Sequence, residues 1–254
     1  MSILVAEQLT KIYGEEKSAN CTRALNSVSL EVSEGDFIAI MGPSGSGKST
    51  LVSILSGILS PTSGSVSIAD QRIDTMDQYE MSLFRRRKLG FVFQEFNLLD
   101  QLTLKENVML PMVLDKVDKV KMEERAAKVM NLFGIEEIED KYPHEVSGGQ
   151  QQRAAVSRAL VNQPAIIFAD EPTGNLDSKS SNAVMNCLKM MNEKAQATIL
   201  MVTHDVFAAS FCKQVIFIKD GTINMEISNH GSRQEFFDRI LDCQALVGGE
   251  NRDI

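Results

Sequence analysis

Apolar residues along the chain fall into two kinds of run, short uninterrupted blocks and stripes at helical spacing. The blocks are Phe37–Met41, Leu89–Phe93, Ala165–Ala169, Thr198–Val202 and Val215–Ile218, and each predicts a strand. Ala165-Ile166-Ile167-Phe168-Ala169 has no polar member, as in a strand buried on both faces of a parallel sheet. The first part adds Ile3–Ala6, Leu9–Gly14 and Leu25–Val32, then Ser65–Ile68 after the turn Pro61-Thr62-Ser63-Gly64. Helical spacing governs Lys119 to Phe133, where Met122, Ala126, Val129, Met130 and Phe133 share a face and Gly134 supplies C-cap chemistry. Asp74–Lys88 and Asp177–Ala195 also read as helices. Lys219-Asp220-Gly221-Thr222 reads as a hairpin turn. Ser232-x-x-Glu235 is a capping box before an amphipathic helix through Phe236, Phe237, Ile240 and Leu241, stopped by Gly248-Gly249.

Composition narrows what this framework serves. A formal charge of −8 argues against bulk nucleic-acid binding, which needs a basic face. Cys21, Cys187, Cys212 and Cys243 are scattered and read as free thiols rather than a disulfide framework or zinc site. No signal-peptide pattern and no membrane-length apolar run is present, so the chain reads as a soluble cytoplasmic protein. Arg85-Arg86-Arg87-Lys88 reads as cations at a helix C-terminus, with contact to acidic headgroups or an acidic partner as the second reading.

The candidate chemistry starts where the block ending at Met41 runs into Gly42-Pro43-Ser44-Gly45-Ser46-Gly47-Lys48-Ser49-Thr50, followed by the helical-looking Leu51–Leu55. Strand, G-x-x-x-x-G-K-[ST] and helix in that order make a phosphate-binding loop. Its glycines allow a tight turn with N–H groups aimed at phosphate oxygens, and the helix dipole adds positive potential. Lys48 would reach the β- and γ-phosphates, and Ser49 would offer its hydroxyl to Mg²⁺. The chain therefore reads as one that binds a nucleoside triphosphate.

Other residues fit around that loop. Asp170-Glu171 ends a buried strand, where paired carboxylates are costly without partners. Asp170 suits the shell of Mg²⁺, and Glu171 suits a base acting on the attacking water. Gln94, after Phe93, suits contact with Mg²⁺ or that water. His204, after Thr198–Val202, reads either as a γ-phosphate contact or as a structural residue. Ser147-Gly148-Gly149-Gln150 before a long helix reads either as a second anion-binding turn or as a plain N-cap. Tyr13 reads equally as an adenine-stacking ring or a strand-edge residue.

Taken together these stretches resemble the ABC transporter ATPase family across almost the whole chain. In that likeness Tyr13 is the adenine-stacking aromatic, Gly42–Thr50 Walker A and Gln94 the Q-loop glutamine. Val146-Ser147-Gly148-Gly149-Gln150 matches the signature, with valine in place of the common leucine. Ile166–Glu171 matches Walker B with its catalytic glutamate, Gly174-Asn175-Leu176-Asp177 the D-loop, and His204 the switch histidine. The resemblance implies an α/β P-loop NTPase fold with a RecA-like core, an N-terminal antiparallel β subdomain and an α-helical signature subdomain. The implied division is 1–94 with 161–225 as core and β subdomain, 95–160 as helical subdomain, and 226–254 as a helical tail. It also implies Mg²⁺-dependent ATP hydrolysis in a head-to-tail homodimer, each copy's ATP closed over by Ser147, Gly148 and Gly149 of the other. A separate permease would hold the protein at the inner face of the cell membrane.

Within the family, Phe93–Leu99 and Leu104-Lys105-Glu106-Asn107-Val108 resemble the macrolide-export and lipoprotein-release branch. Leu99-Asp100 and the tail from Gln234 to Gly249 resemble the bacitracin-type antimicrobial-peptide subgroup, whose permease often works with a sensor histidine kinase. A soluble ABC protein of DNA repair or translation is the contrasting expectation. The chain has neither the long coiled-coil insertion of the first nor the fused second cassette of the other. A GTPase would need an N-K-x-D motif, which the sequence lacks.

Overall fold

A computed structural model describes residues 1–14, 21–174 and 176–248. Its strands are β1 (Ser2–Tyr13), β2 (Thr22–Ser33), β3 (Phe37–Met41), β4 (Ser63–Ile68), β5 (Gln71–Arg72), β6 (Leu89–Phe93), β7 (Ile166–Asp170), β8 (Ile199–Val202), β9 (Gln214–Lys219) and β10 (Thr222–Ser228). Its helices are α1 (Lys48–Leu55), α2 (Gln78–Lys88), α3 (Leu104–Leu114), α4 (Lys119–Leu132), α5 (Gly148–Leu160), α6 (Ser178–Ala195), α7 (Val206–Ala209) and α8 (Arg233–Gly248). These form two compact units, one from Met1–Met81 together with the chain from Leu200 on, the other from Ser82–Ile199.

The first unit holds an antiparallel sheet in the order β2-β1-β4-β5 and a second set of strands in the order β10-β9-β3-β8. The expected strands Ile3–Ala6 and Leu9–Gly14 are one strand, β1. Its polar interruption is a bulge, with Gln8 at φ 49 and a register shift between Ala6 and Leu9. The Gln8 N–H donates to the Ser29 hydroxyl at 3.0 Å, so the break costs no hydrogen bond. β3 and β9 run parallel from Ile38↔Gln214 to Met41↔Phe217, and all five β3 residues are buried. The β9–β10 turn has both Asp220 and Gly221 at positive φ, the backbone a two-residue hairpin requires. α8 begins at the expected capping box and buries Phe236, Ile240 and Val247. Gly249 lies outside the described residues.

In the second unit β6 and β7 are parallel, with Leu89 opposite Ile166 and Phe93 opposite Asp170. α5 packs on β6 at Gly90, where a Cβ would come within 2.5 Å of the Ala159 carbonyl oxygen. The Met stripe is largely core, since Ala126, Val129 and Met130 of α4 are buried and Phe133 is 4% exposed. Each of Val129, Met130 and Phe133 contributes roughly 1.5–3 kcal/mol by leaving water.

α2 starts four residues later than the expected helix. Asp74 is engaged elsewhere, accepting from the Val66 N–H at 2.9 Å and pairing with Arg72 at 2.6 Å. The Arg72 guanidinium holds the Asp74 carboxyl below its usual pKa. The basic run at the end of α2 has a specific use. Arg87 pairs with Asp115 at 2.7 Å, and Arg86 donates to the Leu114 carbonyl at 2.8 Å, so the run clamps the end of α3.

Candidate functional site

The glycine-rich loop follows β3 directly and opens α1 at Lys48. Gly42, Gly45 and Gly47 have φ of 152, 78 and 101, backbone that L side chains rarely adopt. A Cβ on Gly42 would lie 2.1 Å from the Ile218 carbonyl oxygen, and one on Gly47 would lie 2.4 Å from that of Ala24. Pro43, Ser44 and Gly45 are exposed, and the Lys48 ammonium donates to the carbonyls of Gly42 at 2.9 Å and Pro43 at 2.7 Å. The Ser46 hydroxyl oxygen is buried without a hydrogen-bond partner. An unmet buried hydroxyl costs about 1–3 kcal/mol, a demand that a phosphate oxygen would meet. No acidic residue stands in the first turn of α1, so its N-terminal N–H groups remain suited to an anion.

Two other predicted residues lie in this unit. Tyr13 is 43% exposed at the end of β1, with its hydroxyl 3.5 Å from the Thr50 hydroxyl and Lys11 Nζ 5.4 Å from its ring centre. The side chain is thus tied to the phosphate-loop helix while its ring stays available for stacking. His204 is exposed just after β8. The Thr203 N–H donates to Ile40 O of β3 at 3.2 Å, and Asp205 caps α7 by accepting from the Phe207 N–H at 2.8 Å. His204 is therefore presented from a fixed turn beside the strand that feeds the phosphate loop.

The second unit carries the acidic members. Because Phe93 pairs with Asp170, the next residues, Gln94 and Glu171, leave the same end of neighbouring parallel strands. Ligands of such sheets bind at strand carboxyl ends. Surrounding protein and the adjacent Glu171 push the Asp170 carboxyl above its ordinary pKa. Glu171 has φ 44, although it precedes Pro172, which disfavours that conformation. Such backbone costs on the order of 1–3 kcal/mol and concentrates at functional sites. Gly174 makes room for Gln94, since a Cβ there would sit 2.9 Å from Gln94 Nε2. Asn175 lies outside the described residues. Asp177 is the N-cap of α6, accepting from the N–H groups of Lys179 and Ser180, and the Ser180 hydroxyl and these bonds hold its pKa low.

Ser147 caps α5 in a capping box with Gln150, whose side chain accepts from the Ser147 N–H at 2.9 Å. The plain N-cap reading is thus realised for Ser147. It leaves the glycines without an explanation. Neither has positive φ; a Cβ on Gly148 would make only ordinary contact with the Phe96 ring at 3.6 Å, and one on Gly149 would meet nothing within 4 Å.

Two residues to which the sequence alone assigns no role organise the stretch after Gln94. Arg158 of α5 donates to the carbonyls of Phe96 and Asn97, and burial lowers its pKa. Asn107 of α3 is fully buried and binds the backbone of residues 99–103. Asn107 lies within the motif Leu104–Val108, but no local pattern announces either residue's role, because their partners are loop backbone groups fixed only by the fold. Among the apolar residues of this stretch, Leu99 is 46% exposed, whereas Leu104 is fully buried in the helical core.

Comparison with known proteins agrees with this geometry. The family model described as "ABC transporter" matches residues 25–174, from β2 through the turn after Glu171. The chain is 51% identical over 250 residues to the uncharacterized ABC transporter ATP-binding protein YvcR of Bacillus subtilis (strain 168), covering 98% of this chain and 96% of that one. It is 46% identical over 254 residues to the bacitracin export ATP-binding protein BceA of Halalkalibacterium halodurans, covering 100% of both. Among solved structures, the dimeric post-hydrolysis state of the ATP-binding cassette MJ0796 bound to ADP and Pi superposes with a TM-score of 0.77. It is 39% identical and covers 90% of this chain and 100% of that one. With phosphate loop, strand-end carboxylates and capped glycine turn in the expected places, the chain belongs to the ABC transporter ATP-binding protein family.

Proposed function

We propose that the chain is the ATP-hydrolysing motor of a transporter whose permease is a separate membrane protein. The observation that carries this is the end of β7. There Asp170 has a raised pKa beside Glu171, and Glu171 holds left-handed backbone before a proline, a kind of strain that concentrates at functional sites. Gly42–Thr50 would hold the triphosphate, with Lys48 transferring its ammonium from loop carbonyls to phosphate oxygens and Ser46 donating its unpaired hydroxyl. Tyr13 would stack on the adenine. Ser49, Gln94 and Asp170 offer hydroxyl, amide and carboxylate oxygens, the hard donors suited to Mg²⁺. When bound, Mg²⁺ would neutralise charge on the β- and γ-phosphates.

In the reaction a water oxygen attacks the γ-phosphorus while the Glu171 carboxylate accepts a proton from that water. The bond to the β–γ bridging oxygen breaks, giving ADP and phosphate. His204 would hydrogen-bond the γ-phosphate, and Gln94 would orient the water. Ser147, Gly148 and Gly149 would close on the nucleotide of a second copy, and Asp177 would face that copy's site. The solved relative MJ0796 is dimeric, which supports such pairing.

Glu171→Gln should retain ATP binding and lose on the order of 10²–10⁴-fold in turnover. Near-normal hydrolysis would move the base elsewhere. Lys48→Ala should instead weaken nucleotide binding itself.

The permease would dock on the stretch from Phe96 to Met109, where Leu99 is the exposed apolar residue. Such docking would hold the protein at the inner face of the membrane, and no helix among the described residues is long and apolar enough to cross it. Export of, or protection against, a bacitracin-type peptide is the activity favoured, because the match to BceA runs through the C-terminal helix to full length. A sensor histidine kinase would be reached through the permease. Peptide resistance in cells carrying Leu99→Asp tests the docking surface; undiminished resistance would remove it.

A further inference from the structure

The stretch from Phe96 to Thr103 joins β6 to α3 and has no regular structure, yet side chains of α3 and α5 bind several of its backbone groups. Arg158 grips the carbonyls of Phe96 and Asn97. Asn107, with no exposed surface, does more. Its side-chain oxygen accepts from the Leu99 N–H at 2.7 Å. Its single amide nitrogen is within hydrogen-bonding distance of the carbonyls of Leu99, Leu102 and Thr103, at 3.0, 3.0 and 2.9 Å. One side chain thus holds Leu99 by both its N–H and its C=O. Thr103 is fixed again by its capping box with Glu106.

A buried amide is expensive unless satisfied, and Asn107 is satisfied entirely by this loop. An apolar residue there would take the side-chain partner from the Leu99 N–H and the Leu102 carbonyl, while the Leu99 and Thr103 carbonyls would keep the backbone N–H groups of Leu102 and residue 107. Meanwhile the Leu99 side chain stays 46% exposed although its backbone is bound at both polar groups. A loop ordered from beneath with an apolar side chain facing outward is a surface prepared in advance, and a partner docking on it forfeits little conformational freedom.

We infer that Asn107 is the positioning residue of the docking loop, holding residues 99–103 in the shape that the permease binds. This rests on the reading that the permease docks at Leu99, and the test separates the two. The full-length protein and its variants are purified, amide hydrogen exchange is followed, and each is titrated onto the permease isolated in complex with the tagged wild-type chain. Asn107→Ala should speed exchange of the Leu99 amide about tenfold or more while α3 and α5 stay protected. It should weaken permease binding by about tenfold or more, because the ordering cost returns. In the isolated protein, kcat and KM for ATP should stay within about twofold, a split that general destabilisation would not give. Leu99→Asp should weaken binding without faster loop exchange. If α3 loses protection in Asn107→Ala, Asn107→Asp, which keeps the acceptor for the Leu99 N–H, carries the same test with a smaller expected rise in exchange. Unchanged permease affinity with a loosened loop would overturn the inference, as would a Leu99 amide that exchanges no faster. Full binding by Leu99→Asp would instead remove the docking surface itself.

Discussion

The molecule has two glycine turns that each open a helix, and their glycines answer to different needs. In the loop before α1, Gly42 and Gly47 have φ of 152 and 101, and their missing Cβ atoms would strike the carbonyl oxygens of Ile218 and Ala24. The chain's own packing demands them. In the first turn of α5, Gly148 and Gly149 occupy ordinary helical backbone with room for a side chain, where glycine costs up to about 1 kcal/mol relative to alanine. Nothing within the described residues uses their smallness. The first turn is shaped by the chain that carries it; the second would be shaped for a nucleotide on another copy, the role proposed for it above.

The largest effect should come from the first turn. Gly42→Ala forces a Cβ to within 2.1 Å of a β9 carbonyl and away from an allowed φ. A loss of about 3 kcal/mol or more is expected, together with ATP binding. Thermal unfolding and nucleotide titration measure both. A variant as stable as the parent would show that this loop is not set by its neighbours, and the contrast between the turns would collapse.

How much of this could be read from residues alone follows the same division between local and distant causes. The phosphate loop, the Asp170-Glu171 strand end, the Ser147 cap and the Ser232–Glu235 capping box are local patterns, and each stands where its residues placed it. The Glu7-Gln8 break in β1 was misleading because a bulge and a strand end share the same polar signature; only the Ser29 hydroxyl on β2 distinguishes them. Asp74 resembled a helix start until β4 and Arg72 claimed it. The roles of Arg158 and Asn107 were hidden for the same reason, since each acts on backbone groups brought near by the fold rather than on side chains at a recognisable spacing.

The second turn should behave in the opposite sense. Gly149→Ala should leave the isolated chain as stable or stabilise it by a few tenths to about 1 kcal/mol, since alanine favours helix and no neighbour is struck. Its ATPase turnover should nevertheless fall roughly 10²-fold if the other copy's nucleotide must approach that backbone, because small misplacements in a reacting geometry are that costly. A stabilised variant with normal turnover would leave the glycine without a function. In the Glu171→Gln background, Gly148→Asp should abolish ATP-dependent dimerisation while monomer nucleotide binding remains, since its carboxylate would oppose the γ-phosphate.

The smallest expected effect concerns the site's electrostatics and extends the contrast to a third place. Asp170 resembles Gly149 in being poorly suited to the isolated fold, for its pKa is raised by partial desolvation and by the neighbouring Glu171. A raised carboxyl pKa means that the folded state holds the proton more tightly than the unfolded chain does. The ionised group therefore destabilises the fold, with a cost that grows as pH rises from the ordinary value of 3.8 through the folded value. Asp170→Asn should then raise the melting temperature near neutral pH, and the gain should shrink as pH falls toward 3.8. The rise should be small, since the side chain is partly exposed and water screens it. Turnover should fall at the same time, because an amide is a poorer partner for Mg²⁺ than a carboxylate. A melting temperature lowered by Asp170→Asn at neutral pH would mean that the carboxylate has a favourable partner within the fold, and the strand end would then be structural rather than functional.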